Sequence, residues 1–138
     1  MKKPYNRRNF IETTTKGVAA AGLITASSCT GGGSESLGGS FIHHVFFWLK
    51  QPVSEIREKF EKALKELVTV GTIVDYHLGI PAPTDRGVID NTYSYSLLTI
   101  FRNKEDQDIY QTHPTHLKFI EESQDLWEKV VVYDTVSI

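Results

Sequence analysis

One stretch limits the fold more than any other: residues 41–50, FIHHVFFWLK, are dense in aromatic and β-branched side chains and predict a β-strand. Successive side chains of a strand point to opposite faces. The two sets are His43, Val45, Phe47 and Leu49 on one face, and His44, Phe46, Trp48 and Lys50 on the other. Because both faces carry bulky groups, the sheet needs a cover on each side. A second copy of the chain is the simplest second cover, so we expect a homodimer.

The rest of residues 41–138 predicts the element order β-α-β-β-α-β. Ser54 is expected to cap the first helix, and Asn103 the second helical region, which Pro114 interrupts near its middle. Further strands are predicted at 72–78, 93–101 and 130–136, with a loop at 79–92. This order indicates an α+β domain in which a four-stranded antiparallel sheet carries both helices on one face.

Residues 1–28 have the features of an export signal. Arg7 and Arg8 are followed by Phe10 and Ile11, and a weakly apolar stretch covers residues 17–26. A membrane-spanning helix needs about 20 apolar residues, so this stretch is too short to be one. A basic start, a short apolar segment and small residues at the end predict a signal peptide, and the Arg pair resembles a Tat-type signal.

Cys29 is the only cysteine in the chain and directly follows Ala26-Ser27-Ser28. This arrangement resembles a lipobox, in which the Cys is lipidated and begins the mature protein. Ordinary cleavage after Ser28 is the alternative and would leave a soluble periplasmic protein with a free thiol. Residues 29–40 are rich in Gly and Ser and predict a flexible linker before the folded domain at 41–138.

Charge and cysteine content exclude several classes of partner and cofactor. Residues 1–28 carry five basic residues and one acidic residue, whereas residues 29–138 carry ten and sixteen. A mature domain this acidic has no general attraction for nucleic acid or for an anionic membrane surface, so membrane contact is expected only through a lipid anchor. A single Cys cannot form an internal disulfide or a Cys-rich metal site.

Three stretches resemble the stress-responsive A/B barrel (Dabb) family: residues 43–50, 110–116 and 130–136. The most specific of them is the Tyr-x-x-His-Pro-x-His run at 110–116. The resemblance covers residues 41–138 and implies a ferredoxin-like fold that dimerises into an α/β barrel. It implies little about activity, because most members of the family have no assigned function.

One kind of member suggests a chemistry. The plant olivetolic acid cyclase closes an aromatic ring without a metal or cofactor, using a Tyr and a His of this same motif. The resemblance therefore implies catalytic positions for Tyr110 and His116, and substrate-binding positions for His43 and His113. On the third strand Tyr95 stands where the cyclase has a pocket His, which is a departure from that pattern, and we expect Tyr95 to be a third substrate-binding residue.

The residue types alone are consistent with this reading but do not require it. A neutral His and a Tyr hydroxyl can exchange protons near neutral pH, as proton abstraction next to a carbonyl requires. Alternatively, Tyr110 and His116 satisfy each other or cap backbone groups at a packed helix corner. His113 and His116 have a spacing found in metal sites, but two ligands are too few, and we expect no metal or cofactor.

Three functions remain open at this point. The first is an exported protein that binds a small apolar or aromatic molecule between sheet and helices. The second is a cofactor-independent cyclase or isomerase that uses Tyr110 and His116. The third is a haem-related α/β barrel protein.

Overall fold

The structure is a computed structural model that describes residues 37–138. The elements in chain order are β1 (Phe41–Leu49), α1 (Ser54–Leu67), β2 (Asp75–Gly79), β3 (Tyr95–Phe101), α2 (Lys104–Thr112), α3 (Pro114–Ser123), a 3-10 turn (Gln124–Leu126) and β4 (Trp127–Val136). The predicted signal peptide at 1–28 and lipidation site at Cys29 lie outside the described residues. No helix of the described part is long and apolar enough to cross a membrane.

The four strands form one antiparallel sheet in the order β2-β3-β1-β4. The two central strands are therefore β1 and β3. The first and last strands, β1 and β4, are neighbours in the sheet. The order β-α-β-β-α-β and the helices on one face confirm the predicted ferredoxin-like α+β fold. In this topology the helix that follows β3 is split in two at Pro114, as the sequence predicted.

The helix-facing side of the sheet forms the core. Val45, Phe47 and Leu49 of β1 are buried, as their alternation along the strand predicted. They pack with Phe60 of α1, which is fully buried and has ring contacts to Phe47, Tyr95, Phe119 and Trp127. The core therefore centres on an aromatic cluster that joins α1 and α3 to the sheet.

The helix ends differ in how well the sequence predicted them. Asn103 caps α2 as expected, because its side-chain oxygen accepts a hydrogen bond from the Asp106 amide at 2.9 Å. The prediction that Ser54 caps α1 was wrong. Val53 occupies that position without a side-chain hydrogen bond, and Ser54 is already the first helical residue.

The opposite face of the sheet is aromatic, and no helix within residues 37–138 covers it. Phe46 and Trp48 lie on this face with Tyr93 and with Tyr133 of β4. The ring centroids of Phe46 are 4.9 Å from Tyr93 and 6.0 Å from Tyr133. Trp48 Nε1 donates a 2.9 Å hydrogen bond to Thr92, which attaches the 80–94 loop to this side. We call this surface the open face.

The last residues of the predicted linker are attached to the domain. Gly39 has a φ of 84°, a left-handed conformation that favours glycine, and its amide donates to Ser137 Oγ at 3.1 Å. The Ser137 hydroxyl in turn donates to the Leu37 carbonyl at 3.2 Å. Residues 37–40 thus form a turn that is hydrogen-bonded to Ser137. For residues 29–36, which lie outside the described residues, the flexible linker stays a prediction.

Candidate acid-base site

A cavity of about 200 Å³ lies on the helix side of the sheet, between β1, β4 and the α2–α3 break. Its polar lining residues are His43, Tyr110, Gln111 and His116. The other walls are apolar and come from both sheet and helices: Val45, Phe47, Leu67, Leu97, Phe119, Ile120, Trp127, Val130 and Val132. The cavity therefore combines a small polar group at one end with an apolar body, as small-molecule sites commonly do.

The helix break brings Tyr110 and His116 together. Pro114 lacks an amide hydrogen and fixes its own φ, so α2 ends at Thr112 and α3 begins at Pro114. Tyr110 in the last turn of α2 and His116 in the first turn of α3 then face the same cavity. Their ring centroids are 4.7 Å apart.

His116 is held as a proton acceptor. Its Nδ1 lies 3.1 Å from the Gln111 carbonyl oxygen, which can only accept, so Nδ1 carries the proton and donates. The other ring nitrogen, Nε2, has no hydrogen-bond partner among residues 37–138. Burial lowers the pKa of His116, and the nearby His43 lowers it further. The hydrogen bond to the Gln111 carbonyl acts in the other direction, but the net pKa is below its usual value. The ring is consequently neutral at pH 7, with its Nε2 lone pair available.

His43 is oriented by a carboxylate. Its Nδ1 lies 2.6 Å from Asp134 Oδ1, and the two residues are directly opposite in the β1–β4 register. The His43 side chain is 7% exposed and that of Asp134 46% exposed. Because the carboxylate accepts, Nδ1 donates and the Nε2 atom of His43 is left without a partner in the described part of the chain.

Tyr110 supplies the hydroxyl group of the site. Its side chain is 1% exposed, and its ring lies 6.0 Å from His43 and 5.2 Å from Phe101 between centroids. Burial raises the pKa of Tyr110 well above its usual value near 10, so the hydroxyl keeps its proton at any physiological pH. Among residues 37–138 no group is hydrogen-bonded to this hydroxyl, which is therefore free to donate to a ligand.

Two residues that the resemblance placed in the site lie elsewhere. The His113 ring caps α3, with Nδ1 accepting a hydrogen bond from the Thr115 amide at 3.1 Å. Tyr95 is on the helix side of β3, but its hydroxyl donates to Glu61 of α1 at 2.7 Å and lines a different cavity. Of the predicted residues, the structure thus brings together His43, Tyr110 and His116.

The alternative that Tyr110 and His116 satisfy each other receives only partial support. Their rings are in contact, but no hydrogen bond joins them among the described residues. His116 does cap the Gln111 carbonyl, as a packed helix corner would allow. That bond uses one ring nitrogen and leaves the other facing no protein partner.

Asp134 is the polar residue that sequence reasoning missed. The signal was present: Val130, Val132 and Asp134 have the same parity along β4, so an acid stands where the strand otherwise places Val on the helix side. Finding it required the antiparallel register that sets Asp134 opposite His43. The sequence interpretation had placed His43 and His44 on opposite faces, and this is confirmed.

Metal binding has little support in the described residues. Within residues 37–138 no group of three His, Cys, Asp or Glu side chains is arranged to hold a metal ion. His113 and His116 also make separate backbone hydrogen bonds, to Thr115 and Gln111.

The cavity volume of about 200 Å³ is close to the roughly 150 Å³ that holds benzene, so the cavity suits a single ring.

The fold and site define a ferredoxin-like α/β domain with a cavity between sheet and helices. Residues 41–137 match the family model described as Stress responsive A/B Barrel Domain (Dabb), and the chain belongs to this family. The resemblance stated from residues 43–50, 110–116 and 130–136 is therefore confirmed.

Solved structures of similar fold come from bacteria and a plant. A Dabb family protein from Mesorhizobium loti is 23% identical, with a TM-score of 0.61 over 72% of this chain and 98% of the other. A dimeric protein of unknown function from Bacteroides fragilis is 22% identical, with a TM-score of 0.55 over 72% and 97%. A hydroxynitrile lyase from Passiflora edulis is 19% identical, with a TM-score of 0.59 over 72% and 94%. No curated protein matches the chain.

Proposed function

We propose that the chain binds a small aromatic carbonyl compound in the helix-side cavity and catalyses proton transfer next to its carbonyl group. One observation carries this proposal. His43, Tyr110 and His116 each present a polar atom without a protein partner to the same largely apolar cavity of about 200 Å³. These atoms face the cavity and not closed protein, so a ligand with matching polar groups can pair with all three of them.

The three groups can divide the reaction between them. Neutral His116 takes the proton from the carbon next to the carbonyl, so the C–H bond breaks and its electron pair moves toward the carbonyl oxygen. The protonated Tyr110 hydroxyl donates a hydrogen bond to that oxygen and stabilises the negative charge. His43, fixed by Asp134, positions the ligand through its Nε2 atom.

A non-catalytic binding function is the second candidate. The apolar walls outnumber the polar groups, and Val130 and Val132 on the β4 side are 44% and 45% exposed. A ligand that covers them would remove apolar surface from water, at about 25 cal/mol per Å². Binding without turnover would need these walls but not the protonation states of Tyr110 and His116.

Solvent exchange of a test ketone distinguishes the two candidates. Acetophenone has one ring and exchangeable methyl protons, and we expect the full-length chain to speed their exchange in D₂O. Because burial lowers the pKa of His116, the rate should stay high below pH 6.5 and fall only as His116 becomes protonated at a lower pH. NMR of the methyl signal between pH 4 and 9 measures this. An exchange rate equal to that in buffer without protein would contradict the catalytic proposal and favour the non-catalytic binding function.

The chain is further proposed to form a homodimer through its open face. The aromatic side chains Phe46, Trp48, Tyr93 and Tyr133 lie on this face, and Tyr133 is 60% exposed. Burying them against a second copy removes apolar surface from water and covers the face that the helices leave bare. The dimeric description of the Bacteroides fragilis neighbour is consistent with this.

Export and anchoring are proposed from the sequence of residues 1–29. The Arg7-Arg8 pair and the short apolar stretch support a Tat-type signal, and Cys29 after small residues supports a lipid anchor. Replacing Cys29 by Ser in the full chain is expected to move the protein from the membrane fraction to the soluble periplasmic fraction. An unchanged distribution after cell fractionation would contradict the lipid anchor, and retention in the cytoplasm would contradict export.

A further inference from the structure

We propose that a second cavity, between α1 and the outer end of the sheet at β2 and β3, binds a small apolar molecule that carries one hydrogen-bond donor. This cavity has a volume of about 220 Å³. It shares no lining residue with the acid-base cavity. The proposal therefore stands apart from the proton-transfer function and does not depend on it.

The polar wall of this second cavity is the Tyr95–Glu61 pair. Tyr95 is 4% exposed, and its hydroxyl donates to Glu61 Oε1 at 2.7 Å. Burial, with Glu61 beside it, raises the pKa of Tyr95, so the hydroxyl remains the donor of this bond. Glu61 lines the cavity, and its other carboxylate oxygen accepts no hydrogen bond from residues 37–138.

The remaining walls are apolar and partly open. Leu64 of α1 and Leu78 of β2 line the inside, and Ile80 lines it while 64% exposed. An exposed Ile at the rim is apolar surface that a ligand would cover. The volume exceeds the roughly 150 Å³ that holds benzene, so a ring with one small substituent fits.

The charges near the cavity favour a ligand that donates a hydrogen bond over a ligand that carries a negative charge. Glu61 is part-buried, and its carboxylate would repel the acid group of a ligand. The Arg57 guanidinium donates through Nε to the Pro52 carbonyl and lies 5.7 Å from the centre of the Tyr95 ring, where its charge opposes the rise in the pKa of Tyr95. Lys65 lines the rim with an exposed side chain, where its charge is screened by water. A neutral alcohol donating to Glu61 is the best match.

Titration of the full-length chain with three single-ring compounds tests the inference. Benzyl alcohol, toluene and benzoate differ in their polar group, and amide NMR spectra report where each binds. We expect benzyl alcohol to shift the Gly79 and Ile80 amides and to bind about tenfold or more tightly than toluene, because it donates to a carboxylate. Benzoate should leave these amides unshifted. Benzyl alcohol shifts confined to the acid-base cavity, or none, would overturn the proposal.

A double variant and a control variant test whether the Tyr95–Glu61 pair determines the preference for benzyl alcohol. Replacing Glu61 by Leu together with Tyr95→Phe makes the wall apolar, so the preference for benzyl alcohol over toluene should fall to about one. The matched change Lys65→Ala at the rim should leave the preference intact. If the double variant does not fold, Tyr95→Phe alone frees both Glu61 oxygens and should keep or increase the preference. Loss of the preference in Tyr95→Phe would contradict the role given to Glu61.

Discussion

Replacing His116 with alanine is expected to slow the exchange of the acetophenone methyl protons by about 10²–10⁴-fold, the usual contribution of a positioned general base. The variant removes the Nε2 atom that is held toward the cavity by the 3.1 Å bond between Nδ1 and the Gln111 carbonyl. Exchange is measured by NMR in D₂O with the full-length chain. The result would support a catalytic base and not only a packed helix corner.

His113 provides the matched control for this prediction. It is the other histidine at the helix break, but its ring caps α3 and does not line the cavity. His113→Ala should therefore keep the exchange rate close to that of the unchanged chain, while losing about 1 kcal/mol of stability with the cap. Equal losses of exchange in the two variants would mean that helix packing, and not the His116 base, determines the rate.

The Tyr110→Phe variant tests the role of the Tyr110 hydroxyl, which is proposed to act together with His116. The change keeps the buried ring and removes only the hydroxyl, which has no protein hydrogen bond to lose within residues 37–138. If that hydroxyl stabilises the enolate oxygen, exchange should fall by about 10²–10³-fold, as for the loss of one oxyanion donor. An unchanged rate would contradict the role given to the Tyr110 hydroxyl.

The second large effect concerns the dimer. Replacing Tyr133 with glutamate places a charge on the open face, and the dimer dissociation constant should rise about a hundredfold or more, because a buried unpaired charge is costly. Tyr133 is 60% exposed in the single chain, so the fold should tolerate the change. Sedimentation velocity over a range of protein concentrations measures the dissociation constant.

Ile109→Glu is the control for this interface variant. Ile109 lies on α2, on the helix side, and is 53% exposed, so it matches Tyr133 in exposure but not in location. We expect Ile109→Glu to remain dimeric. A dimer that survives Tyr133→Glu but dissociates with Ile109→Glu would place the interface on the helices and contradict the argument from the open face.

The sequence predicted the fold well because its signals were local. Alternation along residues 41–49 separated the two faces of β1, and Pro114 marked the break between α2 and α3. Both of these predictions depend on neighbours within a few residues, where dihedral preferences and side-chain periodicity dominate. The positions of Tyr110 and His116 came instead from the family resemblance at residues 110–116.

The site was only partly predictable because it depends on long-range register. Asp134 joins the site through its pairing with His43, 91 residues away in the chain. Tyr95 was predicted to bind the substrate, but it lines a different cavity from His43, Tyr110 and His116. It lies opposite Phe47, whereas Thr99 lies opposite His43, and its hydroxyl is bound to Glu61. Parity along a strand gives the face, but it does not give the neighbours across the sheet.

The five histidines of the chain permit the most direct test of the central claim, that a single-ring carbonyl compound binds in the helix-side cavity. The measurement is an NMR titration of the full-length chain, ¹⁵N-labelled at its imidazoles, with acetophenone. His43 and His116 line the cavity, whereas His44 and His77 are on the open side and His113 caps α3. We predict saturable shifts at His43 and His116 and none at the other three. Shifts at His44 and His77 alone, or no shift at any histidine, would contradict the claim.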